Sequence, residues 1–455
     1  MTSRGRATVQ GLGRFGGGVG AACFLAREGW QVTVTDLQSE RELQESIASL
    51  EGYEVRFVLG GHERADFIDT DLVIANPAVS PKNEYLRAAR GAGVRIATEI
   101  GLFLERCPAK VAGITGTQGK SSTAHFLYQL LVAAGLPARL GGNIGRSLLE
   151  ELDSMTEEEV CVLELSSYQL EGLTSEIKGK PFSLGIITNL QSDHLERHGD
   201  TESYHLAKLE LASLLNQEAH LLAGPGVMKR ARALAPSAVE AFKLEDCDTS
   251  EGTEEERFSF IGEQLTTPGS ADHLPLFQRD NLLLALRAAR LLGAESSALR
   301  AAAPQLKGLE HRLEDLGLIA GRRVYDNGVS TTPDSTEAAL KSLSGPLTLI
   351  AGGQAKALPL DELVRSIAAR PVQVVLFGAC ASDWAQKLLA ADIMCDVTHD
   401  VRDAVERALA VSREGETILF SPAAASFDAY PNFRERAADF RAAIKGRSES
   451  DSKTS

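Results

Sequence analysis

Three stretches of the chain carry residues whose types and spacing could handle phosphates and hard cations. The first is the run GITGTQGKSST, from Gly113 to Thr123. Backbone N–H groups of a glycine-rich loop can converge on an anion, a lysine adds a point charge for β- and γ-phosphates, and a hydroxyl suits Mg2+. The spelling departs from G-x-x-x-x-G-K-[ST], because Ile114, not glycine, stands six residues before Lys120. A G-K-S triplet is unremarkable in a chain with 41 glycines. Its setting carries the weight: an apolar strand precedes it and an apolar helix (124–134) follows, which favours a phosphate loop over an accident of composition.

The second stretch supplies acidic and imidazole groups at strand ends. Glu164 closes VCVLEL just before Ser166 and Ser167, and Asp193 and His194 follow IITN in NLQSDHLERHGD. A lone glutamate at a strand end is commonly a solvated edge residue, and a lone histidine commonly has a structural partner. Both types at successive strand ends beside a phosphate loop fit magnesium held by a few hard ligands. Lys208, in YHLAKLELA, reads by itself as an ordinary exposed helix lysine. The third stretch is Gly11-x-Gly13-x-x-Gly16, which follows a strand, with Asp36 ending the next strand. That spacing is a dinucleotide fingerprint, and it specifies a nucleotide-diphosphate cradle rather than a chemistry. NAD and another nucleotide remain equal readings from the residues, with a ligand-free turn behind both.

These residues need elements to position them. Short β-branched runs alternate with helical patterns, which predicts α/β architecture with parallel sheets. The strands expected are 7–11, 31–36 and 71–76; then 110–115, 160–165 and 184–189; then 323–327, 347–353, 372–378 and 417–422. The stretch 240–275 loses helical period and is expected to hold short antiparallel strands at the edge of the middle domain. Boundaries fall near 105 and 307, giving domains 1–105, 106–306 and 307–446, and the polar tail 447–455 is expected to be disordered.

Bulk properties agree with an enzyme of small molecules. The 455 residues include 47 basic and 62 acidic side chains, for a formal charge of −15, which disfavours a nucleic-acid or anionic-membrane partner. Six scattered cysteines show no C-x-x-C and no zinc spacing, so reduced thiols are expected. The first residues lack the apolar core of a signal peptide, and no apolar run reaches membrane-span length. A cytoplasmic protein, without membrane insertion, is the expectation.

Further motifs are GGNIG (141–145), LELSSYQLE (163–171), TNLQSDHLERHG (188–199), YHLAK (204–208), HRLE (311–314), STTPDST (330–336), GGQAK (352–356) and SPAAASFDAYPNF (421–433). Together with GITGTQGKSST they stand in the order found in the Mur ligase family, which the chain resembles over nearly its whole length. The resemblance implies an α/β fold of three domains: a Rossmann-like N-terminal domain, a central P-loop-type ATPase domain with a mostly parallel sheet, and a C-terminal Rossmann-like domain. In the family these bind, in order, the UDP of the substrate, ATP and the incoming amino acid. The last motif points to the members that add D-glutamate to UDP-MurNAc-L-alanine, so the first glycine loop is assigned to UDP rather than NAD.

By the same resemblance the catalytic residues are Lys120, Glu164, His194 and Lys208. ATP falls to Gly116, Thr117, Gly119, Lys120, Ser121, Ser122, Asn281, Arg312 and Asp326. The UDP substrate falls to Gly13, Arg14, Phe15, Asp36, Asn76 and Asn143, and the amino acid to Thr331, Lys356, Ser426, Phe427 and Phe433. Two Mg2+ ions are implied, with Ser121, Glu164, His194 and Lys208 as ligands, the lysine carbamylated by CO2. A monomer is expected. Asn327-Gly328 stands where the family commonly has Asp-Ser, Gln278 replaces the first of two asparagines, and NPAVSP (76–81) replaces Ser-Pro-Gly.

The implied chemistry is amide formation through an acyl phosphate, in which positioning and electrostatics bring two anions together. A sister ligase using another amino acid, such as L-glutamate, or a folylpolyglutamate-type substrate is the alternative; the complete first domain stands against the latter. A non-enzymatic nucleotide-binding protein would be expected to have lost Lys120, Glu164, His194 or Lys208, and all are present.

Overall fold

The computed structural model describes residues 4–12, 16–144, 147–191, 195–224, 226–234, 243–246, 274, 276–355 and 358–451. The chain divides into two compact units, one of residues 1–273 and 278–307, the other of 274–277 and 308–455.

The first unit holds two sheets. One comprises β1 (Arg6–Gln10), β2 (Gln31–Asp36), β3 (Val55–Leu59), β4 (Leu72–Ala75) and β5 (Arg95–Ala97), in the order β3-β2-β1-β4-β5. The other comprises β6 (Lys110–Thr115), β7 (Ala138–Gly142), β8 (Val160–Glu164), β9 (Phe182–Ile187), β10 (Leu215–Ala223) and β11 (Lys243–Asp246), in the order β11-β10-β9-β6-β8-β7. Every pairing in both sheets is parallel. Parallel strands covered by helices on both faces must be apolar throughout, and Val160–Glu164 and Leu72–Ala75 are buried along their whole length. One core runs from Val9 and Phe24 through Phe103 and Leu149 to Leu163 and Leu211.

The second unit holds β12 (Glu314–Ile319), β13 (Arg322–Asp326), β14 (Leu347–Gly352), β15 (Val372–Phe377), β16 (Cys395–Val397) and β17 (Thr417–Phe420), in the order β12-β13-β17-β14-β15-β16. Only β12 runs antiparallel. Its hairpin to β13 turns on Ala320 and Gly321, both at positive φ (48° and 75°), which suits a two-residue turn between twisted strands. Neighbouring residues serve opposite cores, Leu349 and Leu419 on one face and Ile350 and Ile418 on the other.

Two expectations need correction. Within 240–275 the described strand, Lys243–Asp246, pairs parallel with β10, not antiparallel, and apart from Leu274 the rest of that stretch lies outside the described residues. The helix Val227–Leu234 intervenes between the two strands and returns the chain in the same direction. The last helix, Phe433–Asp451, continues into the segment read as a disordered tail. Composition argues against a packed core there, but a helical extension needs none. Residues 452–455 lie outside the described residues.

Candidate active site

β6 sits inside its sheet between β9 and β8, so the loop leaving its end opens where the chain turns to opposite sides. That loop is the glycine run. Gly116 (φ 144°) and Gly119 (φ 79°) adopt backbone conformations that favour glycine, and a Cβ on either would overlap Thr188 Oγ1 or Asn281 Oδ1 respectively. The end of β9 locks the loop. Thr117 N donates to Asn189 O at 3.0 Å, Gln118 N to Asn189 Oδ1 at 2.9 Å, and Thr188 Oγ1 to Gln118 O at 2.5 Å.

Lys120 folds its Nζ back onto Gly116 O (3.0 Å) and Thr117 O (2.8 Å), which holds the ammonium at the loop. Gly119 is the N-cap of the helix Lys120–Ala133 and brings no side chain to that terminus, the kind of helix start that attracts anions. Ser121 is half-buried and Ser122 buried in that first turn. Thr123 Oγ1 donates to Asn281 Oδ1 at 3.3 Å, which ties Asn281 to the same turn.

Glu164 ends β8 beside the loop, in register with Ile114 of β6 and Gly142 of β7. It is 2 % exposed. Asn143 Nδ2 donates to Glu164 Oε1 at 2.9 Å, while Oε2 is buried without a hydrogen-bond partner among the described residues. A desolvated carboxylate oxygen with no donor is costly, and a hard cation held by Glu164 and the Ser121 hydroxyl would satisfy it. The donor set therefore fits Mg2+. His194 and its neighbours Ser192 and Asp193 lie outside the described residues.

Lys208 is not a surface cation. It is 1 % exposed on the helix Thr201–Ser213, with Nζ 4.4 Å from the centre of the Tyr204 ring. One turn earlier, His205 Nε2 meets Gln191 O at 3.1 Å, and Gln191 N donates to Thr117 Oγ1 at 3.0 Å, so this helix is linked to the glycine loop. Burial pushes the His205 imidazole below its usual range, and the Arg230 and Lys208 charges add to that. Gln191, Thr188 and Asn189 carry the loop's geometry and were not singled out beforehand; their signal was polar residues directly after an apolar strand.

In the first sheet β1 likewise lies between β2 and β4, and the other glycine loop follows it. Gly13, Arg14 and Phe15 lie outside the described residues. Asp36 holds the loop's start, accepting from Leu12 N at 2.9 Å, and accepts from Gln38 N at 2.9 Å. Asn76 Nδ2 donates to Gly11 O at 3.3 Å, and a Cβ on Gly11 would meet the Asn76 side chain at 2.8 Å. Gly18 lets the following helix approach the Gly11 and Leu12 carbonyls where a Cβ would not fit.

In the second unit, Asp326 is fully buried at the end of β13, accepting from Gly328 N (2.8 Å) and Arg441 Nε (2.6 Å) and pairing with His311 Nδ1 (2.7 Å). Arg312 is half-buried between His311 and Leu313, both at positive φ (61° and 47°). Asn327 accepts from Leu313 N (3.0 Å) and donates to Ser421 Oγ (2.9 Å), and a Cβ on Gly328 would meet Ala437 Cβ at 2.6 Å. The pair Asn327-Gly328 thus matches the close approach of the last helix.

Gln354 and Ala425 form an antiparallel bridge beyond β14 and β17, which joins GGQ to AAASF. Arg436, fully buried, donates to Ala424 O and Ala425 O, both at 3.0 Å. Of the expected amino-acid residues, Ser426 is buried, Thr331 and Phe433 half-buried and Phe427 exposed; Lys356 lies outside the described residues. Phe433 packs edge-on against His311, with ring centres 6.4 Å apart.

Comparisons with known proteins agree along the chain. Residues 5–98 match the family model for the MurD-like N-terminal domain of Mur ligases, 114–248 the Mur ligase middle domain, and 311–424 the Mur ligase glutamate ligase domain. The chain is 34% identical to a UDP-N-acetylmuramoylalanine–D-glutamate ligase of Roseiflexus sp. (strain RS-1), covering 97% of this chain and 98% of that one. It is 33% identical to the like-named protein of Geobacter metallireducens, over 96% of both chains. Among solved structures it resembles the UDP-N-acetylmuramate–alanine ligase of Thermotoga maritima (TM-score 0.57, 16% identity, 97% of this chain and 100% of that one). The MurF ligase of Thermotoga maritima, solved with ADP, aligns at TM-score 0.56 and 15% identity over 92% and 96%. Those two likenesses concern the fold.

Proposed function

Because the chain belongs to the Mur ligase family, we propose that it joins D-glutamate to UDP-N-acetylmuramoyl-L-alanine while ATP becomes ADP and phosphate, a step of peptidoglycan precursor synthesis. The observation that carries this reading is the Gly116–Lys120 loop beside the unpartnered Glu164 oxygen, in a chain whose relatives of near-equal length bear that name. Residues 1–105 take the UDP substrate, 106–306 ATP, and 307–446 the amino acid. The reaction belongs to the cytoplasm, where ATP is made; no helix among the described residues is long and apolar enough to cross a membrane.

A carboxylate does not condense with an amine until its oxygen becomes a leaving group. The substrate carboxylate attacks the γ-phosphorus, forming an O–P bond as the bond to ADP breaks. The amine of D-glutamate then attacks the acyl carbon; the C–N bond forms, the C–O bond to phosphate breaks, and the amine sheds a proton. Lys120 and the first-turn N–H groups bind the phosphates and offset the repulsion between two anions. Ser121 and Glu164 would hold Mg2+, which would supply further charge compensation at the phosphates. In the second unit, Arg312 and Asp326 are the residues assigned to ATP, and Ser426, Phe427, Phe433, Thr331 and Lys356 those assigned to the amino acid. His194 and Asn143 line the centre.

Lys208 acts as its carbamate. Its ammonium first loses one proton, and the resulting amine adds CO2 and releases a second, which replaces a buried cation with an anionic carbamate whose oxygens would suit a second hard cation. Its near-complete burial supports this over a solvated role.

The reading is tested by leaving out one component at a time. Phosphate release should require UDP-MurNAc-L-alanine, D-glutamate, ATP and Mg2+ together. Substrate labelled with 18O in its carboxylate should pass one labelled oxygen to the phosphate. AMP among the products, or unlabelled phosphate, would contradict the acyl-phosphate route.

A further inference from the structure

Arg197 makes contacts that the reaction as described leaves unused. It sits on the helix Leu195–His198, with a side chain 12 % exposed. Its guanidinium donates to three successive carbonyls of a turn after β4: Pro77 O at 3.4 Å, Ala78 O at 3.2 Å and Val79 O at 3.2 Å. Its Nε donates to Glu171 Oε2 at 3.1 Å, and its Cζ lies 5.0 Å from the centre of the Tyr168 ring. Only a planar fork with several fixed donors can hold three carbonyls and a carboxylate at once.

Both ends of this clamp lead to the proposed site. The turn closes on itself through Val79 N to Asn76 O (2.9 Å) and Ala78 N to Asn76 Oδ1 (3.0 Å), and Asn76 reaches the glycine loop at Gly11 O. On the other side, Tyr168 belongs to the short helix Ser167–Leu170, which follows Glu164 of β8 after two residues and is bonded to His198 through Ser167 Oγ (3.1 Å). Arg197 thus joins the loop assigned to the UDP substrate to the end of the sheet that carries the unpartnered carboxylate.

We propose that Arg197 is a positioning residue for the ligase reaction: it sets the UDP-substrate loop of the first sheet against the catalytic end of the second. The inference rests on the function proposed above. A misplacement of about 1 Å between reacting groups can cost about 100-fold in rate, so a substrate anchored on 76–79 should feel the loss of the clamp. ATP, held by the Gly116–Lys120 loop, should not.

The test compares the full-length parent chain with Arg197→Lys and Arg197→Ala, using UDP-MurNAc-L-alanine, D-glutamate and ATP. The expected result is a KM for the UDP substrate raised by about tenfold or more and a kcat lowered by up to about 100-fold, with the KM for ATP and the melting temperature close to the parent's. Lysine should recover little, since the three donors of a single ammonium nitrogen lack the planar spread that reaches three carbonyls and the Glu171 carboxylate together. Guanidinium chloride at millimolar levels should partly restore Arg197→Ala and leave the parent unchanged. Variants with parental constants, or variants in which both KM values rise together and guanidinium does nothing, would overturn the inference while leaving the ligase reading intact. A parent chain with no turnover on these substrates would overturn the ligase reading and this inference with it.

Discussion

Asn143 Nδ2 donates to Glu164 Oε1 at 2.9 Å, and Glu164 Oε2, buried at the end of β8, is left without a hydrogen-bond partner among the described residues. The asparagine fixes the carboxylate's rotation, so the unpartnered oxygen keeps one direction. Glu164→Gln should retain the fold and the Asn143 contact but replace a cation ligand with an amide. Turnover should fall by about 1,000-fold, in the range for removing one preorganised electrostatic contact, and the Mg2+ concentration needed for half-maximal rate should rise. A variant within threefold of the parent across a Mg2+ titration would place the cation elsewhere.

If Lys208 serves as a ligand through its carbamate, as proposed above, Lys208→Ala should lose turnover by orders of magnitude with little loss of helix content. A small carboxylate such as acetate or formate, able to occupy the vacated space, should restore part of the rate. Near-parental activity without any additive would return Lys208 to a packing role.

Gly119→Ala should damage ATP use selectively. The new Cβ would overlap Asn281 Oδ1, and φ of 79° adds about 1–2 kcal/mol of backbone strain. The KM for ATP should rise by about tenfold or more, with binding of the UDP substrate, followed by calorimetry, unchanged. Equal loss of both would show that the substitution disturbs the whole unit.

Two buried carboxyls predict how stability varies with pH. Burial pushes Glu99, which accepts from Ser147, up to about 7, and Glu176, which caps Thr98, up to about 7. The folded chain therefore holds these protons more tightly than the unfolded chain, whose glutamates titrate near the ordinary value of 4.5. Their contribution is complete below pH 4.5 and is lost as the pH rises through about 7. Glu99→Gln should be more stable than the parent at pH 8, by up to about 3 kcal/mol, and equal to it at pH 4. Urea unfolding at the two pH values checks this; a constant difference would mean that Glu99 does not titrate in this range.

Much of the positioning scaffold was legible because parallel strands buried on both faces leave short runs rich in β-branched residues. QVTVTD and KVAGIT coincide with β2 and β6 as read. β7, β12 and β16 left no such trace, since edge strands such as ARLGG, EDLGLI and CDV need an apolar character on one face at most. The placement of the glycine run after β6 and of Glu164 at the end of β8 was legible from residue type at strand ends. The burial of Lys208 was not, because Tyr204, His205, Ala207, Leu209 and Leu211 are buried around more than one face of its helix. Nor could spacing show that Cys107 and Cys161 lie with their sulfurs 3.8 Å apart, or that Arg197 reaches a turn 120 positions earlier.

The central claim is the identity of the reaction, and one assay addresses it most directly. The chain is supplied with ATP, Mg2+ and UDP-MurNAc-L-alanine, and D-glutamate, L-glutamate, L-alanine and a diamino acid are offered separately while ADP is followed and the product is identified by mass. The account predicts ADP release with D-glutamate, and a product heavier than the substrate by one glutamyl residue. Turnover with L-glutamate in its place, or none with any amino acid on this substrate, would contradict it.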